Sequence, residues 1–147
     1  MIASLSIIFV STALFLYWFR YTCLLIIDAK GSVEAGAQNY ALKVTDTIRL
    51  SYPHLERELV AGSQIFVLDT LHEGLANDYR ILTDLLQQFT EGESIEHRIL
   101  LIDYKLMQSW YAFTRHCDNL TGSRKALREM SLILNCFAAE IGESAAL

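Results

Sequence analysis

Four histidines and three cysteines are the side chains of this sequence best suited to bind a metal ion. A metal site on a helix needs ligands three or four residues apart, as in the motif H-E-x-x-H. His72 and Glu73 begin such a motif, but its second histidine is absent. His116 and Cys117 are neighbours and so diverge by about 100° around a helix, and Cys136 could join them only across a helical hairpin. The spacing predicts no metal or cofactor, with this three-residue cluster as the open alternative.

Motifs for covalent catalysis and phosphate binding are also missing from the sequence. It has no G-x-S-x-G nucleophile motif, no glycine-rich phosphate loop and no C-x-x-C-H haem attachment motif. We therefore predict no catalytic residue and a role that is not enzymatic.

Asp103 is the acid with the most unusual surroundings. Leucine, isoleucine and methionine lie one turn before and one turn after it. A carboxylate among such neighbours lies either at the edge of an apolar face or buried with a partner. Arg80, Arg98 and Arg128 are candidate partners, and the prediction is a structural ion pair rather than a functional acid.

These side chains need helices to position them, and the first helix is the clearest. Residues 2–19 contain no Asp, Glu, Lys, Arg or His. Their helical length, about 27 Å, matches the hydrocarbon core of a bilayer, so we predict a transmembrane helix. Tyr17, Trp18 and Tyr21 surround Arg20, a pattern typical of the membrane interface, where an arginine reaches lipid phosphate. The predicted anchor, residues 1–27, therefore leaves the bilayer near residues 17–21 and ends in an interfacial turn.

Two alternatives concern this segment. Residues 21–27 are also uncharged, and a span that continued to Ile27 would place Arg20 inside the bilayer, where it is costly unless it snorkels or pairs with an acidic group of another membrane protein. A cleaved signal peptide is disfavoured, because no Lys or Arg precedes the apolar core and bulky aromatics occupy the cleavage position. Lys30, Lys43 and Arg49 follow the span, so we expect the N-terminus outside and the C-terminal domain in the cytoplasm.

The rest of the chain predicts an all-α fold, with a linker at residues 28–36 and a soluble bundle of about five helices over residues 37–147. A first helix ends before Pro53, and a second runs from Pro53 towards Gly74. A third starts at Asn77 or Asp78. Ser94 caps a long helix to about Cys117, with an apolar stripe of Ile95, Ile99, Ile102, Leu106, Trp110 and Phe113. A last helix, residues 124–141, forms an antiparallel hairpin with it.

Four stretches carry a resemblance to other proteins. They are MIASL at residues 1–5, LYWFRYTCLL at 16–25, NDYRILTDLL at 77–86 and LIDYKLMQSWY at 101–111. Together they resemble short bacterial proteins of unassigned function, which have one N-terminal span and a helical remainder. The resemblance implies a bacterial inner-membrane location and brings no site residues with it.

The charge of the chain disfavours nucleic acid as a partner, and its apolar surface favours a protein interface. The net charge is −5, and residues 53–103 carry ten acids against three arginines, so nucleic acid is not an expected partner. The helix that contains Trp110 and Tyr111 is more apolar than one neighbour can cover, which predicts an interface or buried polar contacts around Asp103. We expect a membrane-anchored interaction, scaffold or accessory protein that binds the bilayer and a protein partner or itself. The alternative is a membrane-bound sensor that binds a ligand or metal within the bundle.

Overall fold

The computed structural model describes residues 1–32, 42–44, 46–61, 65–89, 92 and 94–146. Residues 42–44 and 46–48 are helical, and a 3-10 turn covers Tyr52–His54. We number the following α-helices in chain order: α1 Ile2–Ser32, α2 Leu55–Ala61, α3 Ile65–Phe89, α4 Ile95–His116 and α5 Leu120–Ala146. These ranges contain no β-strand, so the predicted all-α class is confirmed.

Helix α1 is unbroken from Ile2 to Ser32. The predicted turn after Arg20 is therefore wrong, and so is the start of a linker at Asp28, while residues 33–36 lie outside the described residues. The physical reason is that residues 21–27 have no helix breaker and that Cys23 and Ile27 are buried against the bundle. Packing of this short face on α4 and α5 keeps the segment helical.

The exposure of α1 changes abruptly along its length. Side chains 1–18 are all exposed, whereas Phe19 and Arg20 are half-buried and Cys23 is fully buried. The stretch Ile2–Ala29 has a mean hydropathy of 2.0 and is long and apolar enough to cross a membrane. It is the one helix in the described part of the chain with that property, which signal sequences and buried core helices share.

Helices α4 and α5 form the predicted antiparallel hairpin. Thr114 and Ser123 are hydrogen-bonded beside the turn, with their hydroxyl oxygens 2.9 Å apart. At the far end, His97 Nδ1 lies 3.8 Å from Glu140 Oε2. Helix α3 packs along α5 and completes a three-helix core. The α4 side chains in that core are His97, Leu100, Asp103, Tyr104, Met107, Tyr111 and Thr114.

The predicted apolar stripe of α4 is not its core face. Ile95, Ile102, Trp110 and Phe113 are all exposed, while Leu100 and Tyr104 are buried. Two sides of this helix are apolar, and hydrophobicity alone does not indicate which of them meets α3 and α5. The stripe therefore lies on the outer side of the hairpin, and part of it faces α1.

Two predicted helix boundaries also move. Helix α3 passes through Gly74 and Asp78 without a break, because Asp78 Oδ2 accepts hydrogen bonds from the backbone N–H groups of Ser51 and Tyr52, each at 2.7 Å, instead of starting a helix. Helix α5 begins at Leu120 rather than 124, since Asn119 Oδ1 accepts a hydrogen bond from the Gly122 N–H at 3.0 Å and caps the first turn. Ser94 caps α4 as predicted.

Candidate functional site

Three helices meet at one charged cluster, which we call the Arg20 clamp: Arg20 of α1, Asp103 of α4 and Glu129 of α5. Arg20 Nη1 lies 2.9 Å from Asp103 Oδ1. The same guanidinium forms a two-pronged hydrogen bond with the Glu129 carboxylate, with 2.6 Å between Arg20 Nη2 and Glu129 Oε2. A bidentate arginine–carboxylate pair is strong and directional, so it fixes the rotation of α1 on the hairpin.

The clamp is largely shielded from water. The Asp103 side chain is 0% exposed and the Arg20 side chain is 30% exposed, while the Glu129 side chain is 12% exposed. Asp103 Oδ2 has no hydrogen-bond partner among the described residues. One cation therefore faces two carboxylates, and the cluster carries one negative charge too many when all three groups are ionised.

Asp103 is the group whose protonation responds to this excess negative charge. Burial, followed by the hydrogen bond and negative charge of Glu129, raises the pKa of Asp103 to about 7, although Arg20 opposes the change. Near neutral pH the Asp103 carboxyl therefore exchanges a proton, and the clamp is electrically balanced only when that proton is present.

The first prediction concerns the pH dependence of stability. A carboxyl whose pKa is raised by folding stabilises the fold below its unfolded pKa of about 4, and that contribution is lost as pH rises through the folded pKa. Between about pH 4 and 7 we expect Asp103 to reduce the free energy of unfolding by up to about 1.4 kcal/mol per pH unit. Asp103→Asn should remove this slope in denaturant titrations of detergent-solubilised protein.

The comparison isolates Asp103. Burial lowers the pKa of His72, which makes stability rise with pH, opposite to the effect of Asp103, but His72 is present in both proteins. Stability curves of the wild type and Asp103→Asn that stay parallel between pH 4 and 7 would show that Asp103 is not the titrating group.

The structure brings Arg20 and Asp103 together, a contact that the sequence did not predict. Asp103 does form the predicted ion pair, but its cation is Arg20 instead of Arg80, Arg98 or Arg128. Arg128 instead pairs with Glu56 at 3.0 Å on the exposed surface. Arg20 and Asp103 are 83 residues apart, and Arg20 had been assigned to the lipid headgroups, so no local pattern indicated the contact.

The other predicted residues divide between surface and core. Tyr17, Trp18 and Tyr21 are exposed on α1, and Trp110 is exposed on α4. Tyr111 is buried, where its hydroxyl donates a hydrogen bond to Asp69 Oδ1 at 2.7 Å and its ring stacks on His72 with centroids 4.4 Å apart. Tyr111 therefore belongs to the contact between α3 and α4. Of the three residues predicted for an interface or for buried polar contacts, Asp103, Trp110 and Tyr111, Trp110 is the exposed one.

The three-residue metal cluster left open by the sequence does not form. His116 and Cys117 are exposed at the end of α4, whereas Cys136 is buried in α5, about 24 Å along the helix from its first residue. In the ranges that the structure describes, no three His, Cys, Asp or Glu side chains are grouped closely enough to hold a metal ion.

A groove adjoins the Arg20 clamp, and we call it the α1 wedge because it lies between α1 and the α4–α5 hairpin. Its volume is about 760 Å³. Leu16, Arg20 and Leu24 line one side, and the other carries Trp110, Phe113 and other residues of α4 together with the α5 residues Lys125, Arg128 and Leu132. The wedge is apolar in its walls and basic at its α5 edge, so it can accept an apolar group that carries negative charge.

Comparison of the chain with protein-family models, with curated proteins and with solved structures finds no match.

Proposed function

We propose that this chain is a single-pass membrane protein with a non-enzymatic, accessory role, which holds a helical bundle in a fixed position on the membrane surface for a protein partner or a second copy of itself. The proposed location is the inner membrane of a bacterium, with the N-terminus outside and the bundle in the cytoplasm. The observation that carries the proposal is the division of one unbroken helix, α1, into a fully exposed apolar half and a half packed on the bundle.

The exposed half favours a membrane anchor over a buried core helix. No residue of this half is buried by the bundle, whereas a core helix of a soluble protein would be mostly covered. So many apolar side chains in water would cost far more than a domain of this size can offset. A bilayer removes that cost.

The packed half favours a retained anchor over a cleaved signal peptide. Cys23 and Ile27 are part of the interior, and Arg20 neutralises charge on Asp103 and Glu129. Removal of α1 would leave these two acids without their cation, which is unfavourable for buried groups. The anchor is therefore a structural part of the domain.

The continuous helix also makes the anchor stiff. A flexible linker would let the bundle rotate freely, but α1 passes from the exposed half to the packed half without a turn. The bundle then presents the same surface at the same distance from the bilayer. The exposed Ile95 and Ile102 of α4, seven residues apart on one side of the helix, are the surface we assign to the partner.

Site-specific photo-crosslinking in cells tests this function. A photoreactive amino acid at Ile102 should give one adduct of defined mass, either with another protein or with a second copy of the chain. The matched control carries the photoreactive amino acid at Asp84, an exposed position on α3, and should give no adduct. Ile95→Asp should weaken the Ile102 adduct, because it adds a charge to the same surface.

Absence of any adduct at Ile102, together with detergent-solubilised protein that is monomeric and free of bound protein, would contradict the proposed role. An adduct at Asp84 of equal yield would show that the α4 surface has no special part in it.

A further inference from the structure

We propose that the α1 wedge binds one acyl chain of an anionic phospholipid from the surrounding leaflet, with the lipid phosphate beside Lys125. The inference rests on the proposed function, because it requires residues 2–19 to lie in a bilayer.

The position of the wedge connects it with the membrane. Leu16 belongs to the exposed apolar half of α1 and lines the same groove as Trp110 and Phe113. The groove is therefore continuous with the part of α1 that the bilayer surrounds. A lipid in the leaflet can enter it without crossing water.

The walls of the wedge suit an acyl chain. Leu24, Trp110, Phe113 and Leu132 are all large apolar side chains that the bundle leaves exposed. The rings of Trp110 and Phe113 are 5.5 Å apart and tilted by 31°, so they form a joint apolar surface. A tryptophan beside basic residues is typical of the membrane interface.

The size of the wedge argues for a lipid chain and against a partner helix. A helix about 10 Å wide fills roughly 1,200 Å³ over ten residues. The wedge offers about 760 Å³, which falls within the usual range for small-molecule sites. The volume of the wedge therefore matches a lipid chain more closely than a second transmembrane helix.

Charge at the wedge favours an anionic headgroup. Lys125 and Arg128 lie at its α5 edge, where Arg128 is also paired with Glu56. Glu129 also lines the groove, but both of its carboxylate oxygens bind Arg20. The chain as a whole is acidic, yet residues 104–147 carry five basic against four acidic side chains. Lys125 lines the groove that the bundle forms with α1, and anionic lipids of the leaflet attract basic side chains near the membrane surface.

Tryptophan fluorescence of the full chain in lipid vesicles tests the proposal, because the chain has two tryptophans, Trp18 on the anchor and Trp110 in the wedge. Trp18→Phe leaves Trp110 as the reporter, and Trp110→Phe leaves Trp18. The vesicles contain phosphatidylglycerol or phosphatidylcholine that is brominated near the glycerol end of the acyl chain. Bromine quenches the fluorescence of an indole that it touches.

We expect Trp110 to reach half-maximal quenching at an about fivefold lower fraction of brominated lipid when that lipid is phosphatidylglycerol, the preference that one basic side chain provides. Lys125→Gln should remove most of this preference. Trp18 should be quenched equally by both lipids, since its contact with the bilayer needs no specific site.

Quenching of Trp18 without quenching of Trp110 would overturn the lipid site and leave the membrane anchor intact. Equal quenching of Trp110 by both lipids would overturn the assignment of an anionic lipid. If neither tryptophan were quenched, the anchor itself, and with it the proposed function, would fall.

Discussion

Replacement of Arg20 by leucine is expected to lower the free energy of unfolding by about 3–5 kcal/mol, the usual cost of removing one partner from a buried ion pair. Two carboxylates, Asp103 and Glu129, would then face each other across the α1 contact without a cation. Asp103 can take up a proton and relieve part of the repulsion, so the loss should be larger at pH 8 than at pH 5. Urea unfolding of detergent-solubilised protein, followed by circular dichroism, measures it.

Two further variants show whether the loss comes from unpaired charge. Asp103→Asn and Glu129→Gln together, introduced into the Arg20→Leu protein, should restore most of the stability because they remove both orphaned charges. Arg128→Leu breaks an exposed pair with Glu56 and should cost no more than about 1 kcal/mol. A loss for Arg20→Leu as small as that for Arg128→Leu would mean that the clamp does not hold α1 on the bundle.

The second large effect is loss of the membrane anchor. Ile8→Asp combined with Leu14→Asp is expected to move the protein from the membrane fraction to the soluble or aggregated fraction. Each charge in the middle of a span costs about 2.5–3.5 kcal/mol, and the two lie on the fully exposed half of α1, where they have no partner within the described residues. Fractionation after alkaline extraction of membranes gives the distribution.

Val60→Asp is the matched control for this effect. Val60 lies on α2 and is as exposed as the apolar residues of the anchor, so the same chemical change there should leave the protein in the membrane. Retention of the Ile8→Asp, Leu14→Asp protein in alkali-washed membranes would show that residues 2–19 are not what holds it.

The sequence predicted those features that depend on local composition. An uncharged apolar run predicted the α1 helix, Ser94 predicted the start of α4, and the short connection after Cys117 predicted the hairpin, because each signal lies within a few residues of the structure it specifies. The start of α5 moved by four residues, since capping by Asn119 had not been recognised. These are the errors expected at helix ends.

Contacts between distant segments could not be predicted in the same way. Asp103 was recognised as a buried acid that needs a partner, but three helices must pack before Arg20 reaches it. The sequence also did not indicate which apolar side of α4 packs on α3 and α5, because Ile102 and Tyr104 lie on nearly opposite sides of the helix and both sides are apolar. In both cases the deciding information is tertiary, and hydrophobic periodicity does not contain it.

Cysteine accessibility along α1 tests most directly whether one rigid helix is embedded in lipid by its first half and docked on the bundle by its second. Single cysteines are introduced at each position of residues 2–28 in a chain whose own three cysteines are replaced, and a membrane-impermeant maleimide is applied to sealed membranes from either side. We predict protection on every face from residue 4 to 17. Beyond Arg20, labelling should occur only from the cytoplasmic side and follow the helical period, with Tyr21 and Leu25 reactive and Cys23 and Ile27 protected. Labelling within residues 4–17, or uniform labelling of residues 21–28, would contradict the account.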